Sequence, residues 1–138
     1  MKKIKFTIIE DNDSARLVLK HLLLKCFYCT VDEAENGKIG LDMLTANAPD
    51  IVFLDIAMPE MDGLSLLSRM RKIPNLEKLP VIITSAIAHE NLIKNSVNLG
   101  IETYLVKPLD SNIVLQRIGT LVEKLGGKKK IEFLLNDA

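Results

Sequence analysis

Short apolar runs alternate with amphipathic stretches along the whole chain. Phe6–Ile9, Tyr28–Ala34, Ile51–Leu54, Val81–Thr84 and Thr103–Val106 are rich in β-branched and aromatic residues, and polar or turn-forming residues bound them. Runs of that length between turn signals read as strands buried on both faces of a parallel sheet. The stretches between them carry a helical period. Ala15, Val18, Leu19, Leu22, Leu23 and Cys26 recur at i, i+3, i+4, i+7, i+8 and i+11, one full apolar face, with Asp13 or Ser14 as the expected N-cap. Leu17, His21 and Leu24 form a second stripe that this face does not use. Lys38 to Asn47 repeats the pattern with Ile39, Met43 and Leu44, and Leu64 to Arg71 follows Gly63. A fourth helix is expected from His89 to Leu99, stopped by Gly100. The last, capped by Asp110 or Ser111, presents Val114, Ile118, Leu121, Val122 and Leu125.

Five repeats of strand then helix predict an α/β fold, a doubly wound five-stranded parallel sheet with helices on both faces. Right-handed crossovers leave few topologies, and the order 2-1-3-4-5, flavodoxin-like, is the common one at this size. Residues 1–125 are expected to form one domain. Gly126-Gly127 ends the last helix and leaves 126–138 as a tail or the start of a linker, with Ile131, Phe133, Leu134 and Leu135 as its apolar positions.

Charge and composition narrow the function classes. Eighteen basic and eighteen acidic residues give a formal net charge of zero, without the basic footprint of a nucleic-acid binder. No apolar run reaches the roughly 20 residues of a membrane span, and Met1-Lys2-Lys3-Ile4 does not resemble a secretory leader. A cytoplasmic protein that binds neither nucleic acid nor membrane is expected. Cys26 and Cys29 have C-x-x-C spacing, but they sit at the end of a helix and the start of a strand, the reverse of the redox-active arrangement. Only His21 and His89 could complete a zinc site, and they are far apart in sequence, so two reduced, largely buried thiols are expected.

Chemistry concentrates where the strands end. The first delivers Glu10 and Asp11, the third Asp55, the fourth Ser85 and the fifth Lys107. In an open α/β sheet these C-terminal ends share one edge, where ligands bind. Each group taken singly has a bland reading, as a helix-terminus charge, a turn residue or a surface lysine. Three carboxylates, a hydroxyl and an ammonium at equivalent positions point instead to a site. Clustered carboxylates repel unless a cation joins them, and an all-oxygen set suits Mg²⁺. Asp55 can then act as a nucleophile toward a phosphoryl group, with Lys107 and Ser85 holding its oxygens.

The chain resembles the receiver domain of two-component response regulators. Ile8-Ile9-Glu10-Asp11, Ala34-Glu35-Asn36-Gly37, Leu54-Asp55-Ile56-Ala57-Met58-Pro59-Glu60-Met61-Asp62-Gly63, Leu79 to Ala86 and Tyr104-Leu105-Val106-Lys107-Pro108-Leu109 carry the resemblance. It implies that Asp55 accepts a phosphoryl group from a sensor histidine kinase or histidine phosphotransfer protein. It also implies Mg²⁺, with Mn²⁺ or Ca²⁺ as substitutes, on Glu10, Asp11, Asp55 and the Ala57 carbonyl. Ser85 and Lys107 match the family's phosphoryl-contacting positions, Tyr104 its aromatic switch, and Lys107-Pro108 its cis peptide bond. The resemblance further implies that phosphorylation changes the surface of the fourth helix, fifth strand and fifth helix, which then controls a downstream target or output domain, or forms a homodimer. Leu17, His21 and Leu24 fall on the face that docks the kinase in the family. Ala57 and Ile87 occupy the two positions that tune phosphoryl lifetime, and neither can orient water, so slow self-dephosphorylation is expected. Beyond that chemistry on itself, no enzymatic turnover of a separate substrate is expected.

Rival classes fit less well. An aspartyl-phosphate phosphatase wants a second Asp two residues after the nucleophile, where this chain has Ala57. A flavin or nucleotide module wants a Gly- or Ser-rich first loop to cradle phosphate, and Glu10-Asp11-Asn12-Asp13 would repel one.

Overall fold

A computed structural model describes residues 2–58 and 62–130. Pro59, Glu60 and Met61 of the acidic-site loop and the tail residues Ile131, Phe133, Leu134 and Leu135 lie outside that range. The strands are β1 Ile4–Ile9, β2 Cys29–Ala34, β3 Ile51–Asp55, β4 Val81–Ser85 and β5 Thr103–Val106. The helices are α1 Asp13–Cys26, α2 Gly37–Ala46, α3 Gly63–Met70, α4 Glu90–Asn98 and α5 Ser111–Lys124. All strand pairs are parallel, in the order β2-β1-β3-β4-β5.

Alternation of side chains along the strands divides the core into two layers. Phe6, Ile8, Phe53, Ile82 and Leu105 face α1 and α5, where Leu19, Leu23, Val114, Ile118 and Val122 meet them. Ile9, Leu54 and Ile83 face the other layer, with Leu44, Leu66, Leu67 and Met70. All five residues of β3 are buried, as a central strand covered on both sides requires.

Local sequence explains each helix start. Asn12, Asn36, Asp62, His89 and Asp110 each accept a hydrogen bond from a backbone N–H in the first turn. The cap of α1 is therefore Asn12 and not Asp13 or Ser14. Asp13 occupies the first helical position, where its charge favours the positive end of the helix dipole. Gly100 adopts a positive φ of 78° and closes α4 through its N–H to the Val97 carbonyl.

Two apolar positions of the helical pattern are not core. Val18 is 55% exposed, because α1 buries only its Leu19, Leu23 and Cys26 edge on the sheet. Ile39 is also exposed, and Gly40 lies inward instead. A Cβ at Gly40 would fall 2.6 Å from Ile9 Cδ1, so α2 approaches β1 closely only because that residue has no side chain. Periodicity marks the apolar stripe, but the width of a stripe that a neighbour covers is a tertiary property.

Arg71 ties distant segments together. Its guanidinium donates to the carbonyls of Leu76 and Leu79 after α3, and to those of Leu99 and Gly100 at the end of α4. Beyond α5 the chain turns at Gly126 and runs back beside the sheet. Lys128 and Cys26 carbonyls accept from Tyr28 and Lys130 N–H groups, and Phe27 bridges Lys129. Among the described residues no helix is long and apolar enough to cross a membrane.

Candidate functional site

The C-terminal end of β3 and the loops after β1 and β5 deliver the predicted acidic groups and the lysine to one place. Glu10, Asp11 and Asp55 each bring a carboxylate oxygen within 4.8 Å of the other two. Glu10 and Asp55 are buried, whereas Asp11 is exposed at the mouth. Lys107 places its ammonium directly on Glu10 Oε1 and 3.8 Å from Asp55 Oδ1. The Lys107–Pro108 peptide bond is cis, as the resemblance implies.

The two buried acids share their electrostatics unequally. Burial pushes Asp55 up to about 7, and its hydrogen bond to Glu10 and that group's charge add to the rise. Lys107 and the Ala57 N–H, 3.4 Å from Asp55 Oδ1, oppose it. Burial pushes Glu10 up too, but hydrogen bonds with Asp55, Lys107 and the Asn12 N–H outweigh it and leave Glu10 below the usual range. At pH 7 the pair therefore holds about half a proton, carried mainly by Asp55. An exclusively oxygen donor set of three carboxylates, open at Asp11, fits a hard divalent ion such as Mg²⁺, which keeps several waters.

Ser85 and Tyr104 lie at the adjoining edge, and both engage Ile87. Ser85 Oγ accepts from the Ile87 N–H at 3.0 Å, and Tyr104 donates its hydroxyl to the Ile87 carbonyl at 2.7 Å. Ser85 is thus turned onto its own loop. Thr84, one residue earlier, faces the α1 and α5 layer and lines a cleft of about 290 Å³ beside Lys107. Val18, Leu19 and Leu22 form one wall of this cleft and Pro108 and Leu109 the other. Leu17 and Leu24 are exposed on the neighbouring stripe of α1.

Three residues that shape the site carry no chemical signal in the sequence. Asn12 donates its N–H to Glu10, and Arg16 holds the Glu10 carbonyl. Gly63 reads as a turn residue and as the end of the string that begins at Leu54, and it packs under the strand that carries Asp55. A Cβ there would fall 2.6 Å from Ile56 Cα and 2.7 Å from the Asp55 carbonyl oxygen, both main chain. Gly63→Ala is accordingly expected to displace the end of β3. Urea unfolding should show a loss of about 2 kcal/mol at unchanged slope, and an unchanged midpoint would contradict the close approach.

Cys26 and Cys29 are free and buried. Burial raises both thiols, Cys29 to about 11, so they are protonated and unreactive at neutral pH.

The edge that gathers three carboxylates and a lysine is the one where a doubly wound sheet binds its ligands. The family model described as "Response regulator receiver domain" matches residues 6–119, and the chain belongs to that family. The chemotaxis protein CheY of Bacillus subtilis (strain 168) is 32% identical over 111 residues, covering 80% of this chain and 91% of that protein. The CheX–CheY–BeF₃–Mg²⁺ complex from Borrelia burgdorferi contains a chain 30% identical, with a TM-score of 0.79 over 86% of this chain and 88% of that one. Vibrio cholerae CheY4, at 21% identity, shares the fold with a TM-score of 0.80 over 86% and 98% of the two chains. The chain is a response regulator receiver domain similar to CheY proteins.

Proposed function

We propose that Asp55 is the phosphoacceptor of a two-component phosphorelay. Its donor is a sensor histidine kinase or histidine phosphotransfer protein, and its phosphorylation switches the α4-β5-α5 face toward a downstream partner, an output domain or a second copy. The observation that carries this reading is the convergence of Glu10, Asp11, Asp55 and Lys107 at one sheet edge. Residues 1–125 act as the receiver and 126–138 as a tail or linker.

Asp55 attacks phosphorus through a carboxylate oxygen while the bond from phosphorus to the donor's imidazole nitrogen breaks. It must first be deprotonated, and Lys107 favours that form. Glu10, Asp11, Asp55 and the Ala57 carbonyl would hold Mg²⁺. When bound, the ion would supply charge neutralisation for the phosphoryl group. Lys107 leaves Glu10 and takes a phosphoryl oxygen, and Ser85 takes another. When Ser85 turns inward it releases the Ile87 N–H. Tyr104 holds the same residue by its carbonyl, so the hydroxyl and the ring are linked through Ile87. The donor docks on α1 over Leu17, His21 and Leu24, beside the cleft that leads to Lys107.

Intact mass after incubation with acetyl phosphate tests this reading. One added phosphoryl group that requires both Mg²⁺ and Asp55 is expected, and no gain in Mg²⁺ would leave a binding module without the chemistry. Lifetime is a separate prediction. With Ala57 and Ile87 unable to orient water, the phosphoryl group decays slowly, and Ala57→Asn is expected to speed its loss about tenfold. Equal decay rates after removal of the donor would contradict that role for position 57.

A further inference from the structure

Glu10 is restrained on every side. Its N–H reaches the Ala34 carbonyl of β2 at 3.1 Å, its carboxylate meets Lys107 and the Asn12 N–H, and its carbonyl accepts from Arg16 Nη1 at 2.8 Å. The last bond matters most for Asp11, because the Glu10 carbonyl belongs to the peptide plane that leads into Asp11. Arg16 is well placed to hold that plane still. Its guanidinium also donates to Asp13 Oδ1 at 2.7 Å, and its Nε lies 3.5 Å from Glu33 Oε1 on β2. Glu33 is shared with Lys20 at 3.1 Å. The Arg16 side chain is only 15% exposed, and its own N–H bonds the Asn12 carbonyl at 3.0 Å. One side chain thus joins the turn after β1, the first turn of α1 and the neighbouring strand.

We propose that Arg16 is a positioning residue for divalent-cation binding, acting by fixing the Glu10–Asp11 peptide plane so that the exposed Asp11 carboxylate stays in register with Glu10 and Asp55. This rests on the proposed Mg²⁺ site. The three contacts use three different nitrogens of the guanidinium, whereas a lysine ammonium puts all its donors on one atom, so lysine is not an equivalent. Charge alone makes the opposite prediction. Removing a cation near an acidic cluster should strengthen Mg²⁺ binding, whereas removing a brace should weaken it.

Isothermal titration of Mg²⁺ into wild-type protein, Arg16→Met, Arg16→Lys and Glu33→Gln separates these cases, with melting curves in EDTA to confirm folding. Arg16→Met and Arg16→Lys are both expected to bind about tenfold more weakly. Glu33→Gln, which keeps the bond to the Glu10 carbonyl, should lose no more than about threefold. Tighter binding by Arg16→Met with unchanged binding by Arg16→Lys would replace positioning by a field effect and overturn the inference. Lower melting points with wild-type Mg²⁺ affinity would reduce Arg16 to a stabilising contact and overturn it equally. Wild-type protein that takes up no Mg²⁺ would overturn both the inference and the reading beneath it.

Discussion

Asp55→Asn is expected to abolish phosphoryl uptake and, in the absence of metal, to make the protein more stable at pH 8. Asp55 is buried, and its folded value of about 7 lies above the ordinary 3.8. Between those values the folded chain keeps a proton that the unfolded chain releases. Stability from this group is therefore fully present below about pH 4 and is lost as pH rises through 7. By pH 8 the charged carboxylate faces Glu10 and costs the fold. Asparagine is neutral and nearly isosteric, so it removes that cost. Glu10 shifts the opposite way and offsets part of the effect, which leaves a gain of about 2 kcal/mol at pH 8. Melting curves in EDTA from pH 4.5 to 8 would test it, because most of the window between 3.8 and about 7 falls inside that range. A variant no more stable at pH 8 than wild type, or one that still gains a phosphoryl group from acetyl phosphate, would contradict the assignment. In wild-type protein the same proton competes with metal, so Mg²⁺ affinity should fall about tenfold per pH unit below 7.

Lys107→Met is expected to have the next largest effect, with opposite sign on stability. The ammonium contacts Glu10 and lies near Asp55, and methionine keeps much of the stem while removing the charge. Two buried carboxylates then lose their neighbouring cation. Breaking a fully buried pair costs about 3–5 kcal/mol. Lys107 keeps 27% of its side chain exposed, so about 2 kcal/mol is expected here at pH 8. Mg²⁺ should restore most of the loss, because an ion bound only by the folded state stabilises it by mass action. The variant's melting point should therefore rise more on adding Mg²⁺ than that of wild type. Acetyl phosphate uptake should slow about a hundredfold, since the phosphoryl oxygens opposite the metal lose their cation. Equal Mg²⁺ responses in the two proteins would show that Lys107 does not substitute for metal when EDTA removes it.

Much of this site was legible because its residues end strands. Asp55 follows four buried apolar residues, and Glu10, Ser85 and Lys107 occupy corresponding places at the ends of β1, β4 and β5. The strand order then brings them together. What escaped the sequence is what depends on neighbours. Val18 and Ile39 fit an apolar period, but they are exposed among the described residues. Arg71 bonds main-chain carbonyls, and Arg16 bonds one besides its acidic partners; such carbonyls leave no mark in a residue pattern. Asn12 outcompetes Asp13 as a cap because its side chain reaches the Ala15 N–H.

The grip of Arg71 on Leu99 and Gly100 has a mechanical consequence for α4. That helix is pinned at its C-terminal end to the segment after α3, while the loop before it is tied to Tyr104 through Ile87. Any displacement that leaves the Arg71 bonds intact is a swing about a fixed pivot and not a slide. At 1.5 Å per residue, nine residues make a lever arm of about 13 Å, so a rotation of about 10° moves the first residue by about 2 Å and the last hardly at all. The amplitude is delivered at the end nearest Ser85.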